Sequence, residues 1–418
     1  MSPAQAAPPP GETATREGPL AGVRVLDLTS VIMGPYATQI LAQLGADVIK
    51  VESPQGDDMR RIGPMRNTGM GPIFLHANGG KRSVVLDLKT AEDRESLLAM
   101  VVEADVFVSN IRPEALGRLG LDYPTLAERN PRLVYVNCCG FAPDGPYADL
   151  PAYDDLIQGA TAVPWLMNAY IETGPVYAPF TLADRVGGLN TVYAVTAALY
   201  ARERSGLGQS VSVPMFEAMT QFILGDHLGG HTFVPPIGPA GYDRLLTTHR
   251  RPYRTQDGYL CVLVYNDKHW RNFFTALGDP GRMDRDARLS NHTVRAANID
   301  AVYAELSEIF LSKTTAEWRA LLDAADIPNA PVNTPTDLLD DAQLTQTGFI
   351  RRFEHPTEGA MNIMRNPTSW SGTPLPDSLR PAPRHGEHTR EVLDQMLARS
   401  SESGLPQGRE GFRHVTDV

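Results

Sequence analysis

Between residues 23 and 139 the chain alternates short, continuously apolar runs with amphipathic stretches, a pattern that leaves few folds open. VRVLDLT reads as a strand, PYATQILAQLG as a helix and DVIKVE as a second strand ending on Glu52, together a βαβ unit. SVVLDL, TAEDRESLLAMVVEA, DVFVSN, a short helix around PEALGRLG and RLVYVNCCG continue the pattern. Strands that are apolar throughout, rather than at every second residue, are buried on both faces, so the fold class expected is α/β with a mostly parallel sheet. Ligands of such sheets sit beyond the carboxyl ends of the strands. Those ends are Ser30 to Pro35, Glu52 to Asp57, Asn110 to Pro113 and Cys139 to Gly145.

A chain of 418 residues is expected to form roughly two domains. After GLNTVYAVTAALYARERSG, a long, largely apolar helix, come the strand SGLGQSVSV and the helix PMFEAMTQFILGDHL. Residues 232 to 260 then turn rich in Pro, Gly and Arg, as a linker would, and lead to the strand YLCVLVY and the helices HWRNFFTALG, NIDAVYAELSEIFLS and TAEWRALLDAADI. From about Pro331 the chain is again loop-rich, with strand-like pieces such as GFIRRFEH, and its last 20 residues are polar.

Composition excludes several functions. No stretch approaches the roughly 20 apolar residues that span a membrane, and MSPAQAAPPPGETATREG lacks the basic and apolar regions of a secretory signal, so residues 1–18 read as a disordered leader. Cys138, Cys139 and Cys261 show no C-x-x-C spacing, which argues against disulfides or a thiolate metal site and suits a reducing cytoplasm. A net charge of −11 disfavours nucleic acid, and any anionic ligand must meet a local basic cluster.

Several chemical sites compete. TSVIMGPYAT carries Gly34 but lacks the three glycines of a dinucleotide turn, although Glu52 stands where a ribose carboxylate would. Neither a P-loop nor a G-x-S-x-G elbow occurs. Asp226, His227 and His231 have the spacing of metal ligands, but Gly229 and Gly230 weaken the helix they would need, so no metal is expected. Cys138 and Cys139 at a strand end read as small hydrophobes, with no histidine nearby to act as base. Lys81, Arg82, Lys89, Arg112 and Arg118, with Arg60 and Arg61 nearby, lie close to strand ends, as a polyphosphorylated ligand requires. Asp184, in APFTLADRVGG ahead of the long helix, admits two explanations. It caps the helix, or it is a nucleophile stripped of water by apolar surroundings; both can hold at once.

Five ordered segments carry a resemblance: LAGVRVLDLTSVIMGPYATQILAQLGADVIKVESPQGD, NGGKRSVVLDLKTAEDRESL, ADVFVSNIRPEALGRLGLDY, NPRLVYVNCCGFAPDGPYADLPAYDDLIQGATA and LADRVGGLNTVYAVTAALYARERSGLGQSVSVPMFEAM. Over about residues 19 to 225, and more weakly beyond, the chain resembles the class III CoA-transferases, the group of formyl-CoA, carnitine and bile-acid CoA-transferases. The resemblance implies a Rossmann-like large domain built from both ends of the chain, a smaller inserted domain, and a homodimer interlocked like rings. Residues 19–231 would form the first part of the large domain, 232–330 the linker and small domain, and 331–418 the return to the large domain and a tail.

By the same resemblance Asp184 is the catalytic carboxylate, and coenzyme A is a substrate rather than a tightly bound cofactor. Matching family contacts places CoA near Ile32 and Met33, Ser53, Leu86 and Lys89, Asn110, Ile111 and Arg112, Arg118, and Cys139, Gly140 and Phe141. The implied partners are an acyl-CoA donor and a carboxylate acceptor, with backbone N–H groups near Gly187 or Gly140 as oxyanion donors. Departures from the family pattern are a glycine run reduced to Gly229 and Gly230, and Ser53 and Cys139 where a relative has basic side chains; His231, Arg250 and Arg251 are the compensating candidates. Two other readings remain: a 2-methylacyl-CoA racemase, whose histidine base would fall at Tyr153, and a non-catalytic CoA-binding protein. Met167, Tyr170 and Tyr177 are candidate acyl-pocket walls, and a dicarboxylate such as succinate is the donor suggested by analogy.

Overall fold

The computed structural model describes residues 17–171 and 173–402. The expected leader therefore lies outside the described residues apart from Glu17 and Gly18, as does the tail beyond 402. Contacts divide the chain into two compact units, the first comprising residues up to 158, 180–220 and 345 onward, the second 159–179 and 221–344. The segment 159–179 thus groups with the second unit, a division that the composition shift at 232 did not signal.

The first unit is built on a parallel sheet of β1 (Arg24–Leu28), β2 (Asp47–Glu52), β3 (Arg82–Val85), β4 (Val106–Ser109), β5 (Val134–Cys139) and β6 (Gln209–Pro214), in the order β3-β2-β1-β4-β5-β6. This is the Rossmann strand order, with its switch point between β1 and β4. Val25 pairs with Val48 on one side and Val106 on the other. Leu26, Ile49, Val84 and Phe107 are all buried, as central strands covered on both faces require.

The helices of this unit are α1 (Met33–Gln43), α2 (Pro72–Asn78), α3 (Ala91–Val102), α4 (Pro113–Arg118), α5 (Tyr123–Arg129) and α8 (Leu182–Ser205), whereas α7 (Val163–Ile171) falls in the second unit, and α6 (Asp154–Ala160) and α9 (Met215–His227) begin in the first and end in the second. The expected cap of α3 is present, with Thr90 Oγ1 accepting the Asp93 N–H at 3.2 Å. The helices α2 and α5 escape the periodicity because each spans only 7 residues, although proline in the first turn marks both.

Two helices matter for the site. Because α1 leaves the carboxyl end of β1, and α8 runs back to the start of β6, both begin at the carboxyl edge of the sheet. They meet there closely: a Cβ on Gly188 would stand 2.9 Å from the Met33 carbonyl oxygen and one on Gly187 would stand 2.8 Å from Met33 Cε. Bare Cα atoms are what bring the first turn of α8 against the first turn of α1.

The returning chain adds the hairpin Ile350–His355 and Gly359–Met364 to the first unit. It then docks on β3, where the His388 N–H reaches the Ser83 carbonyl at 2.9 Å. In the second unit a three-stranded antiparallel sheet, Tyr253–Arg254, Tyr259–Val262 and Asn329–Pro331, accompanies helices around Trp270, Phe273, Phe310 and Trp318. The expected linker is therefore partly structured. Among the described residues no helix is long and apolar enough to cross a membrane.

Candidate active site

Asp184 is the third residue of α8 and only 7% exposed. Thr181 is the N-cap and makes no side-chain cap bond, and Asp184 stands in the first turn. The Met33 N–H, first amide of α1, lies near the Asp184 carboxylate and favours its ionised form. The Asp184 N–H donates to Asp154 Oδ1 at 3.0 Å, and Gln158 Nε2 holds the other Asp154 oxygen at 2.6 Å. Burial, followed by the Asp154 charge, pushes the Asp184 pKa up to about 6; Met33 and Arg185 oppose the rise. The result is a carboxylate still ionised at neutral pH, more basic than its kind, with little solvation to lose before attacking an electrophile. Arg185 stacks over Tyr36 at 4.4 Å, next to this centre.

The residues matched to CoA contacts all lie at or just past the carboxyl ends of strands, or on the helix that follows. Ile32 and Met33 are buried at the start of α1; Ser53 is exposed after β2, its carbonyl 3.0 Å from His385 Nε2. Leu86 is buried after β3, and Lys89 is exposed ahead of α3. Asn110 and Ile111 follow β4, Arg112 precedes α4, and Arg118 is exposed in its last turn. Cys139 ends β5, followed by Gly140 and Phe141, whose ring packs edge-on against Tyr147 at 5.6 Å. The crevice at the switch point is bridged by a reciprocal pair, the Ser30 N–H to Asn110 Oδ1 at 3.1 Å and Asn110 Nδ2 to the Ser30 carbonyl at 2.9 Å.

The basic cluster needs correction. Lys81 and Arg60 do not face a cleft. Lys81 is fully buried and donates to Asp27 Oδ2 at 2.9 Å, Thr38 Oγ1 and Asn78 Oδ1 at 2.8 Å, and the Pro35 carbonyl at 3.0 Å. Arg60 grips Glu52 through both oxygens at 2.6 and 2.7 Å, which also removes Glu52 as a ribose ligand. Arg82 likewise pairs with Asp47 at 2.7 Å, and Arg61 with the neighbouring Asp58. Lys89, Arg112 and Arg118 remain, exposed and without an ion-pair partner among the described residues.

Burial pushes the Cys138 thiol up to about 12 and the Cys139 thiol up to about 11, so neither supplies a thiolate. Asp226 and His231 are exposed at the end of α9 and just beyond it, and no group of three or more metal-ligating side chains occurs among the described residues. Tyr153, at the racemase base position, is 65% exposed. In the second unit the Tyr170 hydroxyl bonds the Arg250 carbonyl, while Tyr177 is exposed.

A family model described as CoA-transferase family III matches residues 20–389. A succinate–glutarate CoA-transferase of Agrobacterium fabrum is 34% identical over 402 residues, covering 91% of this chain and 96% of that protein. An acetyl-CoA:oxalate CoA-transferase of Acetobacter aceti is 34% identical over 392 residues, covering 91% and 97%. The crystal structure of a CaiB/BaiF family protein from Brucella suis has a TM-score of 0.76 at 30% identity and covers 91% of this chain and all of that one. An α/β chain with a Rossmann-ordered parallel sheet, matched by these relatives over nearly its full length, belongs to CoA-transferase family III.

Proposed function

We propose that this CoA-transferase moves coenzyme A from an acyl-CoA to a free carboxylic acid through covalent intermediates on Asp184. The observation that carries the reading is the buried Asp184 carboxylate near the start of α8, where Met33 at the start of α1 packs against Gly187 and Gly188. An Asp184 oxygen attacks the thioester carbonyl, the C–S bond breaks, and an acyl-aspartyl anhydride and CoA thiolate result. The thiolate then attacks the Asp184 carbonyl carbon, expelling the acyl group as its carboxylate and leaving an aspartyl-CoA thioester. An acceptor carboxylate reverses the two steps. Each bond formed replaces one of comparable energy, so the cycle needs no ATP. In this reading the Met33 N–H, which favours the charged form of Asp184, stabilises charge on the aspartyl oxygen as the tetrahedral centres form and collapse.

CoA lies along the carboxyl edge, its phosphates meeting Lys89, Arg112 and Arg118, and the working enzyme is an interlocked cytoplasmic homodimer. The names of the Agrobacterium and Acetobacter relatives point to short dicarboxylates as donor or acceptor. Incubation with succinyl-CoA, acetyl-CoA and oxalyl-CoA, followed by intact-mass measurement, is expected to show a CoA adduct that peptide mapping places on Asp184. An adduct elsewhere, or transfer with no adduct under rapid quench, overturns the mechanism.

The ionised form is the nucleophile, so kcat/KM is expected to fall about tenfold per pH unit below the Asp184 pKa of about 6 and to level off above it. A rate profile flat from pH 5 to 8 contradicts this assignment.

A further inference from the structure

Met33, which packs against the start of α8 at Gly187 and Gly188 and whose N–H favours ionised Asp184, follows an unusual stretch of backbone two residues earlier. Val31 has φ +72°, a left-handed conformation that is an outlier for a β-branched side chain. Such a conformation persists only where the surroundings over-determine it. Here the Thr29–Ser30–Val31 turn is held at every residue. Lys50 Nζ donates to the Thr29 carbonyl at 2.7 Å, Asn110 makes its two bonds to Ser30, and the Val31 N–H donates to Asp57 Oδ1 at 3.2 Å.

Asp57 is itself fixed. It is 3% exposed, its Oδ2 lies 2.9 Å from Lys50 Nζ, and its own N–H donates to Glu52 Oε2 at 3.1 Å. The next residues are Ile32, the N-cap of α1, and Met33, its first residue. A change in the Val31 dihedrals therefore swings the amide that faces Asp184.

We propose that Asp57 is a positioning residue for Asp184: by holding Val31 in its left-handed conformation, it aims the first amide of α1 at the nucleophile. The proposal rests on Asp184 being the nucleophile. A glycine at 31 would take this φ without strain, but without restriction either, so the valine conformation and the Asp57 contact specify one geometry together. The other charges acting on Asp184 are Asp154 and Arg185, and neither lies in this turn.

The test uses Asp57→Ala, which removes the acceptor of the Val31 N–H, and Val31→Gly in the full chain, each alone and combined with Asp184→Asn. Loss of an aligned donor to a charged group predicts a kcat lowered roughly ten- to a hundredfold. KM for the acyl-CoA should stay within about threefold, because the shift in geometry acts on the reacting carboxylate. The acid limb of kcat/KM should move to higher pH, as Asp184 loses a bond that favours its charged form.

A second readout does not need activity: the pH at which the Tm gain from Asp184→Asn levels off tracks the Asp184 pKa, and it should rise in both backgrounds. The proposal is overturned if both variants keep wild-type kcat, or if kcat falls while the acid limb and the level-off pH stay put, as they would for a merely structural role. If Asp57→Ala does not fold, Val31→Gly decides alone. Failure of the nucleophile reading looks different: Asp184→Asn alone would retain transfer whatever residues 31 and 57 do.

Discussion

Asp184→Asn is expected to lower transfer by at least about a thousandfold and, above pH 6, to make the protein more stable. The first effect follows from the proposed mechanism, in which Asp184 supplies the attacking oxygen, since a neutral amide neither attacks a thioester nor holds CoA as an acyl group. The second follows from the environment that activates the residue. Folding raises the Asp184 pKa from 3.8 to about 6, so it favours the protonated carboxyl, and the charged form is carried at a cost. A group whose folded pKa is raised contributes stability below its unfolded pKa and loses it as pH climbs through the folded value. Two pH units correspond to about 3 kcal/mol, present as a gain for Asp184→Asn above pH 6 and absent near pH 4. Asn keeps an oxygen for the Met33 N–H and does not repel Asp154, so the gain needs no rearrangement. Thermal unfolding of both proteins from pH 4 to 8 checks it: a constant difference across that range removes Asp184 burial as the cause. A variant that is inactive and unstable at every pH would instead mark Asp184 as structural.

The same physics separates what could be read from the chain from what could not. The alternation from Val23 to Cys139 revealed the strands because continuous apolar runs have one cheap solution, a covered parallel sheet. Asp184 was legible for a related reason: a carboxylate in an apolar context must be explained. The Met33 amide was not legible as a donor, since backbone groups carry no letter; Gly187 and Gly140 were the donors that the sequence suggested, and Gly187, with Gly188, lines the gap into which α1 fits. The cations misled because nearness to a strand end says nothing of direction. A signal was nonetheless present. Asp27 sits inside VLDL and Lys50 inside VIKVE, and charges inside apolar strands demand buried partners. Pairing those two with Lys81 would have moved Lys81 from the cleft to the core.

That buried network yields the largest expected loss of stability. Asp27 is fully buried and takes the Thr29 N–H at 2.9 Å, the Thr29 hydroxyl at 2.5 Å, the Thr38 hydroxyl at 2.6 Å and Lys81 Nζ at 2.9 Å. Burial alone would raise its pKa; Lys81, Lys50 and the two threonines outweigh burial and hold it below the usual carboxylate range. Lys81, by contrast, is pushed down to about 8, mainly by burial, because it shares Asp27 with Lys50. Lys81→Met keeps the length of the side chain and removes the charge. It strips Asp27 of its closest cation, leaves Asn78 Oδ1 without its lysine donor and takes one donor from the Pro35 carbonyl, which keeps the Thr38 hydroxyl. Removing one partner of a buried pair costs about 3–5 kcal/mol, whereas replacing both with apolar groups is often nearly neutral. Denaturant titration should therefore show a large loss for Lys81→Met, partly restored by Lys81→Met with Asp27→Leu. Lys268→Met, which breaks the exposed pair with Asp326, should stay within about 0.5 kcal/mol of wild type. Equal losses for the buried and exposed lysines would mean that the network is solvated. Because Thr38 and Pro35 lie on α1 and Thr29 begins the turn that leads to Met33, the same charges that anchor the sheet also fix the helix whose first residue packs against the start of α8, next to the proposed nucleophile.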